Sequence, residues 1–165
     1  MSWYRVILAQ TSYEFEAKVK DRFKTHPFFQ SLLKDYHIPV EDIDNSLKIE
    51  VMDLQGKFAE GNGHIIRVDD RVAQDLETNF HFLVHEFYHW VKRRSEAMFY
   101  FNDPEEIQSF TLAIAWELMR GKTEQDVTRS VFPIIEAHYI KSGNAKEMFA
   151  KMVDKAKEIV ANYNA

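Results

Sequence analysis

Residues 80–94 read FHFLVHEFYHWVKRR, and the letters at their centre, His85-Glu86-Phe87-Tyr88-His89, form the pattern H-E-x-x-H. On an α-helix, side chains four residues apart sit about 40° apart in azimuth and about 6 Å apart along the axis, so both imidazoles can reach one ion. Glu86 then lies about 100° round the helix, beside such an ion rather than on it, where a general base for an activated water belongs. The flanking letters favour a site over a coincidence. Phe80, Leu83, Val84, Phe87, Tyr88, Trp90 and Val91 occupy one arc of a helical wheel, and His85, Glu86, His89, Lys92 and Arg93 the opposite one. The histidines of this amphipathic helix therefore face a cleft or solvent rather than the apolar side. Lys92-Arg93-Arg94 complements the dipole at a helix C-terminus and reads as a solvated helix end.

Working outward, Phe15, Val19 and Phe23, then Phe28, Phe29, Leu32 and Leu33 after His26-Pro27, predict an N-terminal pair of helices that Pro39 ends. Leu47 to Leu54 (LKIEVMDL) and His64 to Asp69 (HIIRVD) read as strands. QGKFAEGNG between them supplies turn glycines, so a hairpin or small sheet with a loose connection is expected. Beyond Asp70 the pattern is helical: from about Gln74, or a turn later, to Arg94; from Pro104 to about Arg120; from Glu124 to about Lys141; and from Ala145 to Asn162. Asp103-Pro104 with Glu106, Thr123, and Asn144 stand where helix caps belong. The expected fold class is α+β and mostly helical, a single domain over residues 1–165 with its core at about 47–120 and helical extensions on either side.

Composition narrows the chemistry. The 165 residues include no cysteine, which excludes disulfides, thiol nucleophiles and cysteine-ligated metal, and fits a reducing, cytoplasmic setting. Metal must then be held by some of the 7 histidines and 26 carboxylates. A net charge of −5 argues against nucleic-acid and anionic-membrane partners, and no apolar run approaches the roughly 20 residues of a membrane span.

A catalytic zinc needs a third protein ligand and an open position for water. Asp103-Pro104-Glu105-Glu106 opens the next helix, with 16 residues between His89 and Glu106. Here the sequence resembles the gluzincin metallopeptidases, in which H-E-x-x-H is followed, after around twenty residues, by a glutamate ligand on the following helix. That family often has a small residue three positions later, which favours Glu106, followed by Ser109, over Glu105, followed by Gln108. Read without the resemblance, Glu106 closes a capping box with Asp103, and Glu105 is a first-turn carboxylate favouring the dipole. The likeness covers about Leu47 to Arg120 and is to the minimal gluzincins of phage and mobile elements. It departs at Phe110, where larger members carry an acidic residue. The resemblance implies Zn2+ held by His85, His89 and Glu106 (or Glu105), Glu86 as general base, and a peptide or protein substrate.

Other candidates are weaker. His138-Tyr139 is a late His-Tyr pair that could support an oxyanion, although a helix-surface pair is the plainer reading. His81, one turn before His85, could touch the site or be an ordinary polar residue of the helix's first turns; His64 reads as a turn residue. HIIRVD could pair with an extended peptide or internally. Glu117, in an apolar helix, calls for a basic partner. The last two helices, with Phe149, Val153, Ala156 and Val160, offer a packing or partner surface. The competing functional reading is a non-catalytic binding or assembly protein that keeps the fold and the metal; a further one is chance occurrence of the motif in a helical interaction domain.

Overall fold

The structure, a computed structural model, describes residues 3–94, 103–138 and 144–165, with side chains over 12–94, 105–137 and 144–165. It is mostly helical with one small mixed sheet, the α+β class expected. Two compact units divide the chain, Met1–Phe99 and Tyr100–Ala165. Among the described residues no helix is long and apolar enough to cross a membrane.

In the first unit α1 (Trp3–Thr25) presents Phe15, Val19 and Phe23 at four-residue spacing, and all three are buried. Pro27 occupies the first position of α2 (Pro27–Asp35), where a missing N–H costs nothing, and His26 caps it by accepting from the Phe28 amide. A short α3 (Asp42–Ser46) leads to β1 (Lys48–Met52), β2 (Ala59–Gly61) and β3 (Ile65–Asp69). The strand order is β1-β3-β2, with β1 parallel to β3 and β2 antiparallel to it.

This sheet refines the expected hairpin. The two strands legible in the sequence are parallel neighbours, and the glycine-rich connection between them supplies the third strand. Because β3 is paired on both sides, HIIRVD is unavailable to an added peptide. The outer edge of β1 is closed by α1: Glu16 accepts from the Ile49 amide at 2.6 Å and Ser12 from the Val51 amide at 3.2 Å. On the sheet surface Arg67 lies between Glu50 and Glu60, and the hydrogen bond from Lys48 holds the Glu50 carboxyl below its ordinary range.

Asp69 ends β3 and caps α4 (Asp70–Gln74), accepting from the Arg71 amide and side chain and from the Leu54 amide. These bonds, that of the Arg71 guanidinium first, hold its carboxyl down to about 2. After Asp75, whose carboxylate accepts from the Thr78 amide, α5 (Leu76–Arg94) runs as the motif predicted.

In the second unit α6 (Asp103–Met119) packs along α9 (Ala145–Asn164), with α7 (Glu124–Ser130) and α8 (Phe132–His138) between them in the chain. Phe110, Ala113, Ile114 and Trp116 of α6 are buried, as are Phe149, Met152, Val153 and Ala156 of α9. Thr123 and Asp126 form a reciprocal capping box on α7. Asn144 stands at the N-cap of α9, but its side chain makes no capping bond.

The single helix expected from Glu124 to Lys141 is two, broken at Val131. Pro133 has no N–H to offer the carbonyl of Arg129, and its ring would collide with that carbonyl, so α7 stops and α8 restarts with proline in its first turn. The expected end at Lys141 lies outside the described residues.

Candidate metal centre

The two unspecified letters of H-E-x-x-H anchor the helix. Phe87 is fully buried and stacks on Phe23 of α1, ring centroids 3.9 Å apart, while Tyr88 exchanges a 2.9 Å hydroxyl hydrogen bond with Tyr36. The ends of α5 are tied down as well. Arg22 pairs with Glu77 in its first turn, Arg94 with Asp42 at 2.7 Å, and the Lys92 ammonium lies 5.4 Å from the centre of the Tyr36 ring. The basic last turn thus binds α2 and α3 rather than simply facing water.

With Phe87 and Tyr88 turned inward, His85 and His89 share the opposite face and are partly buried. Their Nε2 atoms are 3.2 Å apart. A tetrahedral ion bound through two imidazoles at 2.0–2.1 Å places those nitrogens about 3.3 Å apart, so the pair already has the separation a shared ion requires. A neutral pair could hold the same spacing with one ring N–H donated to the other.

His85 and His89 each offer a ring nitrogen that could hold a metal ion. Glu105 and Glu106 stand in the first turn of α6, in the second unit. Ser109, the small residue that pointed to Glu106, is completely buried, and its hydroxyl donates to the Glu105 carbonyl at 2.9 Å. The capping role weighed for Glu106 involves the Asp103 side chain, which lies outside those described.

Glu86 and His89 line a small surface cleft together with Gly61, Asn62 and Gly63 of the β2–β3 segment and Arg93 one turn further along α5. The sequence reading found the helix side of this cleft and missed the strand side. Its one signal was the glycine-rich AEGNG, read as turn chemistry alone.

His81 is buried, only 4% exposed, with its ring 4.2 Å from that of Phe82, so it belongs to the packed side of α5. His64 is exposed at the turn into β3, where its amide donates to the Asn62 carbonyl. Glu117 is buried within α6. His138 is the last residue of α8, its side chain outside those described, and Tyr139 lies outside the described residues altogether.

No family model matches the chain, and neither the curated proteins nor the solved structures contain a significant match to it.

Proposed function

We propose that this chain is a zinc-dependent metallopeptidase of minimal gluzincin type, with His85, His89 and Glu106 as metal ligands and Glu86 as general base. The observation that carries the reading is the motif helix itself. Phe87 and Tyr88 are locked into the core, leaving two imidazole nitrogens 3.2 Å apart on the opposite face and Glu86 lining the adjoining cleft. An all-histidine-and-carboxylate donor set fits zinc in a site that keeps a position for water, and bound zinc supplies a Lewis acid that acidifies water and polarises a carbonyl. Glu86 takes the proton of the attacking water and returns it to the departing amine.

The sheet supports an extended peptide as substrate. With β1 closed by Ser12 and Glu16, the remaining edge strand is β2, and it runs beside Glu86. A polypeptide adding to that edge would carry its backbone past the proposed base. The absence of cysteine suits a cytoplasmic setting, which cell fractionation tests.

The deciding experiment measures metal content of the purified chain and peptide hydrolysis by wild type and Glu86→Gln. One zinc per chain is expected in both, with hydrolysis lost in the variant. A chain that takes up no zinc refutes the metal site. A chain that holds zinc but cleaves a peptide library no better than Glu86→Gln is a binding or assembly protein instead.

A further inference from the structure

Four of the five glycines lie in structure described at the side-chain level, and three of these, Gly56, Gly63 and Gly121, adopt positive φ, the left-handed region that explains glycine by backbone alone. Gly61 does not. It sits in extended backbone at the end of β2, paired opposite Ile66, where any residue is allowed. Something other than backbone conformation therefore accounts for the missing side chain. A Cβ built on Gly61 would lie 2.6 Å from Oε2 of Glu86, 3.7 Å from its carboxyl carbon and 3.9 Å from its Cβ. Non-bonded contacts under 3.0 Å are essentially never seen for real Cβ atoms.

We propose that Gly61 is a positioning residue: the bare Cα at this point of the edge strand sets where the Glu86 carboxylate stands. The proposal rests on the reading of Glu86 as general base.

Of the two partners in this contact, the strand is the fixed one. β2 is paired to β3 at all three of its residues, and the turn beyond it is closed by the Asn62 amide donating to the Ile65 carbonyl at 3.0 Å. Just before it Phe58 is stacked on Phe82 of α5, centroids 4.7 Å apart, with the Arg71 guanidinium over its ring at 4.6 Å. Glu60 is tied to Lys57 and Arg67. The carboxylate is the far end of a long side chain that can change rotamer. A methyl group at position 61 therefore displaces the carboxylate rather than the sheet, by about 1 Å to restore ordinary contact. A misplacement of about 1 Å at a reacting group costs on the order of 100-fold in rate.

The test uses the full chain loaded with zinc, as wild type, Gly61→Ala, Glu86→Asp and the double variant. Gly61→Ala is expected to keep zinc affinity within about twofold, because no ligand is touched, and to lower kcat about 100-fold while KM stays within about threefold. Aspartate is one methylene shorter and retreats from the added methyl, so in the Glu86→Asp background the same substitution should cost less than about threefold, a non-additive cycle. An unchanged kcat in Gly61→Ala overturns the proposal, as does an equal loss in both backgrounds. If wild type binds zinc but hydrolyses nothing, the reading of Glu86 as a base has failed, and crystal structures of wild type and Gly61→Ala decide the positioning claim separately. A carboxylate displaced over an unmoved β2 supports it. A shifted β2 under an unmoved carboxylate, or a variant that does not fold, overturns it.

Discussion

Phe23 lies near the end of an N-terminal helix that carries none of the proposed chemistry, yet it should control whether the motif helix is held in place. Its side chain is completely buried. It stacks on Phe87 at 3.9 Å, meets Phe29 edge-on at 4.9 Å and touches Phe80 at 5.6 Å. Truncating a buried phenylalanine to alanine costs about 3–5 kcal/mol through lost transfer energy and the cavity left behind. Three aromatic partners place Phe23→Ala near the top of that range, about 4–5 kcal/mol, because each ring pair adds about 0.5–1.5 kcal/mol beyond burial. Against a typical total of about 5–15 kcal/mol, this removes a large share of the stability of the fold. Phe23→Leu keeps most of the volume and loses only the ring geometry, for about 1–2 kcal/mol. Tyr13→Ala on the same helix removes a side chain that is 74% exposed and should change stability by less than about 0.5 kcal/mol. Urea unfolding followed by circular dichroism measures all three, and hydrogen exchange at the Phe87 and Tyr88 amides reports on α5 directly. A Phe23→Ala cost below about 1.5 kcal/mol, or one no larger than that of Tyr13→Ala, would refute the claim that this aromatic cluster anchors the motif helix.

Acid should act through Asp69. Its folded carboxyl titrates at about 2, below the ordinary value, so its stabilisation is complete above about pH 4 and is lost as the pH falls through about 2. Wild type should therefore lose stability over that window more steeply than Asp69→Asn, and parallel acid-unfolding curves would remove Asp69 from the account. Glu16→Ala takes away the acceptor of the Ile49 amide and should cost about 1–2 kcal/mol. Faster hydrogen exchange at Ile49 is the accompanying sign, and unchanged protection there would show that β1 does not depend on α1 for its edge. Thr123→Ala opens the capping box on α7 and should lower stability by about 1 kcal/mol in thermal melts, with Thr123→Ser recovering most of it.

What could be read from the sequence was what local spacing encodes. His85, Glu86 and His89 are neighbours in the chain and on the helix alike, so their arrangement followed from helical geometry, and the apolar arc containing Phe87 and Tyr88 named the side that would be buried. β1 and β3 announced themselves by alternation. β2 did not, because three residues ending in a glycine, with another glycine just beyond, carry no period, and its pairing depends on a chain segment returning across the sheet. For the same reason Gly61 and Arg93 escaped notice as neighbours of Glu86: the cleft exists only once β2 lies beside α5. The break at Val131 was legible in principle. The apolar run VFPII suggested continuity, and the proline within it outweighed the periodicity.

The two pairings of β3 differ in how much chain they must close. Gly61 meets Ile66 across a tight turn, whereas Lys48 meets Ile65 only after the whole β2 excursion has been made. Loop closure becomes about 0.6 kcal/mol harder with each doubling of the enclosed length, and it must be met before the contacts return anything. Assembly should accordingly run from the β2–β3 ribbon to its capture by a β1 already docked on α1. The strand that carries Gly61 is thus joined to its partner before the sheet is complete, and the order of closure follows from the order of the strands.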